Sequence, residues 1–154
     1  MSLPVDTCRA CRPMNYRLAM PSIALPIADR ATSFQFYRAL GMQTPGDPVD
    51  DGVPEPLIVR VDGLDLILVP VGGFEYVLNG RRAAPSSSSE CILSLKADSA
   101  PEVDIWHARA ISAGAEVISE PKDQPWGYTG LFADPDGHVW EITATQLPPA
   151  GQSQ

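Results

Sequence analysis

The chain has no long apolar run, few cysteines and no cluster of basic residues, and each absence excludes a class of protein. No apolar stretch approaches the roughly 18 to 20 residues that a membrane-spanning helix needs. Acidic residues outnumber basic ones by 19 to 11, and the formal net charge of −8 disfavours nucleic acid and anionic membranes as partners. Three cysteines do not make a disulfide framework. We therefore expect a cytoplasmic protein.

With 154 residues and 44% hydrophobic content, the chain is long enough for one domain with a packed core. We predict that this domain spans residues 20–145, between a flexible leader at 1–19 and a disordered tail at 146–154. The leader contains Cys8 and Cys11, too few ligands for a zinc site, and Met14, an alternative native start. The polar segment GRRAAPSSSSE divides the domain into modules at about 20–72 and 88–145.

A faint internal repeat relates the two modules. The segments SIALPIADRATSFQFYRALGM and CILSLKADSAPEVDIWHARAISAGAEV each contain an apolar run, an Ala-Asp pair, a helix-like stretch and a glycine. An Asp-Gly turn precedes an apolar strand near the end of both modules, at 62–63 and 136–137. The sequence pattern of each module therefore predicts a strand, then a helix, then two or three further strands. The predicted hairpins join PLIVRV to LDLILV and YTGLFA to HVWEITA.

The two helices have recognisable ends. Asp29 can cap the first helix, and Gly41 stands where a left-handed residue would end it. Ser99 and Glu102 form a potential capping box for the second helix, which Gly114 ends. Both helices have one apolar stripe, so we expect each to lie on one face of a sheet.

This arrangement resembles the glyoxalase, bleomycin-resistance and extradiol-dioxygenase superfamily, also called the vicinal oxygen chelate fold. The resemblance extends from about Met20 to Thr143 and is carried by IALPIADRATSFQFYRALGM and GYTGLFADPDGHVWEI. It implies an α+β fold in which two βαβββ modules form a half-open barrel around a cavity, with helices on the outer face, in a homodimer. Members of this superfamily include metalloenzymes and metal-free antibiotic-binding proteins, so the fold does not fix the function.

In that family, ligands from the first and last strands of each module hold a divalent metal. The alignment places Ser22, Ile67, Cys91 and Glu141 at these positions. Only Glu141 is a good ligand for a hard or borderline cation, because isoleucine cannot bind metal, serine binds it poorly, and cysteine suits softer metals.

The register of the strand around Cys91 is open. If Cys91 faces the cavity, the polar residues Ser94 and Lys96 fall on the helix side. A shift by one residue would instead place Glu90 or Ile92 at the ligand position, because neighbouring residues of a strand point to opposite faces.

The remaining pocket candidates are a charged pair and four aromatic residues. Arg60 and Asp65 are predicted on the cavity side of their strands. Arg60 would keep Glu141 ionised if it reached across the cavity, whereas a buried and unpaired Glu141 would have a raised pKa and could act as a general base. His107 and His138 are interpreted as structural. The aromatic candidates, on loops or strand starts that flank the cavity, are Phe74, Tyr76, Trp126 and Tyr128.

These features lead to three functional hypotheses. The first is a metal-free protein that binds or sequesters a small organic ligand in the cavity, with no cofactor. The second is a metal-dependent isomerase, lyase, transferase or dioxygenase, with a divalent metal on Glu141. The third is a non-catalytic interaction module with a vestigial pocket. Whether the modules pair within one chain or between two chains stays open.

Overall fold

The computed structural model describes residues 21–145, so the leader with Cys8, Cys11 and Met14 and the tail lie outside the described residues. None of the helices in this range is long and apolar enough to cross a membrane. Along the chain the elements are β1 (Ser22–Ile27), α1 (Arg30–Ala39), β2 (Leu57–Val61), β3 (Leu64–Pro70), α2 (Val71–Val77), β4 (Ile92–Ala97), α3 (Ala100–Ser112), β5 (Glu116–Gln124), β6 (Gly127–Ala133) and β7 (Val139–Ala144).

Each module forms a separate sheet. The first sheet has the order β1-β3-β2 and the second has the order β4-β7-β6-β5. In both sheets the first strand of the module runs parallel to the last, and both predicted hairpins are confirmed as antiparallel pairs. The α+β class and the two-module organisation are therefore confirmed. The two sheets do not join into a closed barrel.

The first module has one strand fewer than the predicted βαβββ pattern. Its segment 43–56, QTPGDPVDDGVPEP, makes only isolated bridges, Gln43 with Arg60 and Pro48 with Pro54. Prolines cannot donate a backbone hydrogen bond, and this segment is rich in them, so a continuous ladder does not form. Residues 71–77, which we predicted as a loop or strand start, form the short helix α2 instead.

Local capping explains where the two long helices begin. The Asp29 carboxylate accepts hydrogen bonds from the Thr32 amide at 2.8 Å and from its hydroxyl at 2.7 Å, as the sequence predicted. Ser99 is the N-cap residue of α3 but makes no side-chain cap bond. Glu102 Oε2 accepts from the Asp98 amide at 2.7 Å, one residue before the Ser99 amide that a capping box uses, so the predicted capping box is replaced by a different contact at the same helix start.

Helix α1 lies between the two sheets. Its Phe36 and Leu40 belong to the core that includes the buried strand residues of both modules. The ring of Tyr37 lies 6.0 Å from the ring of Trp140 on β7, and Arg109 Nη1 of α3 is 3.4 Å from the carbonyl oxygen of Leu40. The helix-covered faces of the two sheets therefore point toward a shared core, and their other faces point away from each other.

The buried carboxylate of Asp134 fixes the β6–β7 turn to α1. It accepts hydrogen bonds from the Tyr37 hydroxyl and from the backbone amides of Asp136 and His138, the last two at 2.9 and 2.8 Å. Burial raises the pKa of Asp134, and the hydrogen bond from Tyr37 opposes that shift. Burial and the charge of Asp134 raise the pKa of the Tyr37 phenol well above its ordinary value.

The same turn also contacts β1 and the start of α1. Asp136 accepts hydrogen bonds from the Ala28 amide at 2.7 Å and the Ser33 hydroxyl at 2.8 Å. His138 Nε2 lies 2.7 Å from the carbonyl oxygen of Pro26. This short acidic turn thus adds several polar contacts to the shared core that joins the two modules.

The polar segment between the modules passes close to this turn. Gly137 has φ +87°, and a Cβ atom added there would lie 2.1 Å from the carbonyl oxygen of Ser86. Glycine is required at this position both by its left-handed conformation and by the approach of the 80–90 segment.

We expect Gly137→Ala to lower the free energy of unfolding by about 2 kcal/mol more than Gly52→Ala does. Gly52 has a similar φ of +78° but open space around it, so its substitution reports the backbone strain alone. Urea denaturation of both variants measures the difference. Equal losses would show that the 80–90 segment moves aside without cost.

We expect Asp134→Asn to change how stability depends on pH. A folded pKa above the unfolded value of about 3.9 means that the stability contributed by this carboxyl is greatest below that value and is lost as pH rises through the folded pKa. The stability of the wild type relative to the variant should therefore fall over the range from about pH 4 upward through the folded pKa. Parallel stability curves from denaturant titrations across that range would contradict this assignment.

Candidate functional site

Each sheet has one face that neither α1 nor α3 covers, and we call these the first and second outer faces. Strand alternation and pairing assign their side chains. The first outer face consists of Ser22, Ala24, Pro26, Ile58, Arg60, Asp65, Ile67 and Val69. The second consists, on β4, β6 and β7, of Ile92, Ser94, Lys96, Thr129, Leu131, Ala133, Val139, Glu141 and Thr143.

Glu141 lies at the centre of the second outer face. Ser94 Oγ donates a hydrogen bond of 2.8 Å to its Oε1 atom across the parallel β4–β7 pair. Leu131 stands opposite Glu141 on β6, and the side chain of Glu141 is half-buried. Ser94 was not among the predicted site residues. The alternation of Ser94 and Lys96 with apolar neighbours is the signal that could have identified it.

The structure settles the open register at β4. Ser94 pairs with Glu141 and Ile92 with Val139, so Ile92 shares a face with Glu141. Cys91 is an exposed free cysteine that precedes β4, and by alternation it belongs to the opposite face. The placement of Cys91 at the ligand position was therefore wrong by one residue, and Ile92 takes its place.

The four family positions thus hold Ser22, Ile67, Ile92 and Glu141, of which only Glu141 is a strong metal ligand. Among residues 21–145, no group of three or more His, Cys, Asp or Glu side chains is placed to hold a metal ion.

Arg60 binds its cross-strand neighbour. Its Nε and Nη2 atoms lie 2.7 and 2.9 Å from the two carboxylate oxygens of Asp65, which stands opposite it in the β2–β3 pair. This hydrogen bonding lowers the pKa of Asp65. Arg60 therefore binds within the first sheet, and the possibility that it reaches Glu141 across the cavity is not realised.

The four aromatic candidates are dispersed over different elements. Phe74 and Tyr76 lie on α2, and Tyr76 is 85% exposed. Trp126 lies in the turn between β5 and β6 and is 57% exposed. Tyr128 points toward α3, where its hydroxyl donates to Asp104 at 2.9 Å, so it lies on the sheet face opposite Glu141. Tyr128 and Glu141 were predicted to line the same pocket. That prediction was wrong, because alternation along the strands places the two side chains on opposite faces of the sheet.

His107 is buried on α3, and its Nε2 lies 3.3 Å from the carbonyl oxygen of Leu131. Its ring is 6.3 Å from that of Phe132. Together with the contact between His138 and Pro26, this packing agrees with the structural interpretation of both histidines.

A cavity between the two modules runs along β4, the outermost strand of the second sheet. This inter-module cleft has a volume of about 810 Å³. Of the predicted pocket residues, only Arg60 lines it. The side chains of Trp106, Trp140 and Ile142 contribute apolar wall, and the other lining segments are residues 41–43, 60–64 and 93–97 together with Glu102.

The structure is an α+β protein of two similar modules, each with a sheet and a long helix that covers one face of it. The uncovered face of the second sheet carries a single carboxylate, Glu141. The family model of the Glyoxalase/Bleomycin resistance protein/Dioxygenase superfamily matches residues 19–142. The chain belongs to this superfamily, and the predicted resemblance is confirmed.

Individual relatives agree with this membership. An uncharacterised protein of Mycobacterium bovis is 30% identical over 124 residues, which are 77% of this chain and 78% of that protein. A glyoxalase-related enzyme from Fulvimarina pelagi has a TM-score of 0.69 at 25% identity, covering 88% of this chain and 95% of that one. TnmS3, an antibiotic-binding protein from Streptomyces sp. CB03234, has a TM-score of 0.60 at 26% identity, covering 86% of this chain and 99% of that one.

Proposed function

We propose that this protein binds a small organic ligand at the second outer face, around Glu141, without a metal cofactor. The hydrogen-bonded pair of Glu141 and Ser94 carries this proposal. It is a polar group with a fixed orientation, with apolar Ile92, Val139 and Leu131 on one side of it and polar Lys96 and Thr143 on the other. In the same proposal the protein acts in the cytoplasm as a homodimer.

The chemistry of this face indicates the kind of ligand. Leu131 and Ile92 offer apolar contact, while the Glu141 carboxylate accepts hydrogen bonds and attracts positive charge. A largely apolar molecule with an amine or several N–H or O–H donors fits this combination. The similarity to an antibiotic-binding protein supports an antibiotic-like ligand.

One observation favours the metal-dependent alternative. Glu141 is a half-buried carboxylate on the last strand of its module, at a position where relatives hold a metal. Against it, a single carboxylate binds a divalent cation weakly, because affinity requires several protein ligands in a fixed geometry. The residues Ser22, Ile67 and Ile92 do not supply them.

Ligand binding can be tested by isothermal titration calorimetry with bleomycin and a panel of cationic aromatic antibiotics. For panel members that bind, we expect Glu141→Gln to weaken affinity about tenfold, since a hydrogen bond to a charged group contributes about 1.5 to 3 kcal/mol. Glu116→Gln makes the same change of charge on β5 and should leave affinity unchanged. The absence of binding to folded wild-type protein, or equal affinity of Glu141→Gln, would refute the proposal.

Metal binding distinguishes the two functions directly. After incubation with Ni²⁺, Zn²⁺, Mn²⁺ and Fe²⁺ and removal of free ions, we expect less than stoichiometric metal by plasma mass spectrometry. One tightly bound ion per chain, lost in Glu141→Gln and retained in Glu116→Gln, would establish the metalloenzyme instead.

A further inference from the structure

The inter-module cleft is separate from the outer face that carries Glu141. Its volume of about 810 Å³ lies in the range of cavities that hold small organic molecules. Ser94 borders both places, whereas Glu141, Ile92 and Leu131 do not line the cleft. Ligand binding around Glu141 therefore does not account for this cavity.

Apolar side chains from both modules form the wall of the cleft. They share a half-buried position at the margin of the core, so that each keeps part of its surface outside it; they are Met42, Val61, Leu64, Leu95 and Trp106. The guanidinium carbon of Arg109 lies 5.4 Å from the ring centroid of Trp106 and holds the indole from one side. Apolar surface gathered around one cavity is stabilised when a ligand covers it.

One side of the cleft is the open edge of β4. The consecutive residues 93–97 all line the cavity, and because side chains alternate between the two faces of a strand, such a run means that the strand borders the cavity with its edge. Within residues 21–145, β4 pairs with β7 and with no other strand, so the backbone N–H and C=O groups of its other edge form no ladder. A ligand in the cleft can supply the hydrogen-bonding partners that these groups require.

The charged side chains around the cleft balance each other. Two of each sign line it, namely Arg60, Lys96, Asp62 and Glu102. Arg60 binds Asp65, and Glu102 binds the Asp98 amide. The other two, Lys96 and Asp62, are exposed and opposite in sign. The cleft therefore has no net charge that would favour an ion over an uncharged ligand.

Apolar walls, an open strand edge and balanced charge together define the chemistry of a ligand. We propose that the inter-module cleft is a second binding site, which takes an uncharged aromatic molecule with hydrogen-bonding groups at the rim of its ring. The ring lies against the wall around Trp106, and its polar atoms bond to the open edge of β4. This second site does not use Glu141, so it is independent of the proposed function.

Fluorescence titration of the full-length protein with N-phenyl-1-naphthylamine tests this site. The probe is uncharged and aromatic, carries an N–H donor, and emits more strongly in apolar surroundings. We expect saturable binding of one probe per chain and a loss of affinity of about tenfold in Trp106→Ala, because that variant removes the largest apolar side chain of the wall.

Trp126→Ala is the matched control for this titration. It removes an indole that is 57% exposed in the β5–β6 turn and does not line the cleft, so affinity for the probe should not change. Failure of the folded wild type to bind the probe, as expected if another chain fills the cleft, would overturn the proposal. Equal affinities of the two variants would overturn it as well.

Chemical-shift mapping on the wild type locates the probe and does not depend on the folding of Trp106→Ala. In ¹⁵N-labelled protein, the probe should shift the indole signal of Trp106 and the backbone amide signals of residues 93–97. The amides of β5, at the opposite edge of the same sheet, should not shift. Shifts confined to α2, or to Leu131 and Glu141, would contradict a site in the cleft.

The same variants separate this site from the one around Glu141. Glu141→Gln should bind N-phenyl-1-naphthylamine with the affinity of the wild type, and loss of probe binding in that variant would overturn the second site. A wild type that binds the probe in the cleft and no member of the antibiotic panel would overturn the proposed function alone.

Discussion

The attachment of the β6–β7 turn to helix α1 is the interaction on which the arrangement of this protein depends. Asp134 and Asp136 of that turn accept hydrogen bonds from Tyr37, from the start of α1 and from the end of β1. These contacts place one helix between two sheets, so that both modules share a single core. A buried carboxylate is costly to desolvate, and here three donors offset part of that cost.

The same packing decides where a site can form. Because the helix-covered faces turn inward, the faces that carry Glu141 and Ile67 turn outward and apart. Glu141 is oriented by Ser94 within its own sheet, and Arg60 is neutralised by Asp65 within the other. The ligand-binding proposal therefore rests on the second outer face, where Ser94 orients Glu141.

Membership in the superfamily establishes the fold, but the function depends on which residues occupy the site. Three of the four family ligand positions hold Ser22, Ile67 and Ile92, and these side chains make an apolar or neutral wall. The remaining carboxylate suits recognition of a ligand with donors or positive charge better than it suits a metal. The inter-module cleft, in contrast, runs along β4 between the modules, and neither Glu141 nor Ile67 lines it.

Short-range features were predictable from the sequence. The Asp-Gly turns identified both hairpins, Asp29 identified the start of α1, and the apolar alternation of β3 and β7 identified the faces of Ile67 and Glu141. Where local signals were ambiguous, the predictions failed. The face of Cys91 was off by one residue, because a strand shifted by a single position exchanges its two faces. Prolines removed a strand from the first module.

The sequence by itself determined the family, the two modules and the single carboxylate at the family positions, because these depend on residue identity and on periodicity within short segments. Only the tertiary structure decided that Arg60 binds Asp65, that Tyr128 contacts α3, and that the two outer faces point apart. Those outcomes depend on which surfaces pack together across long distances in the chain. No periodic pattern within one segment contains that information.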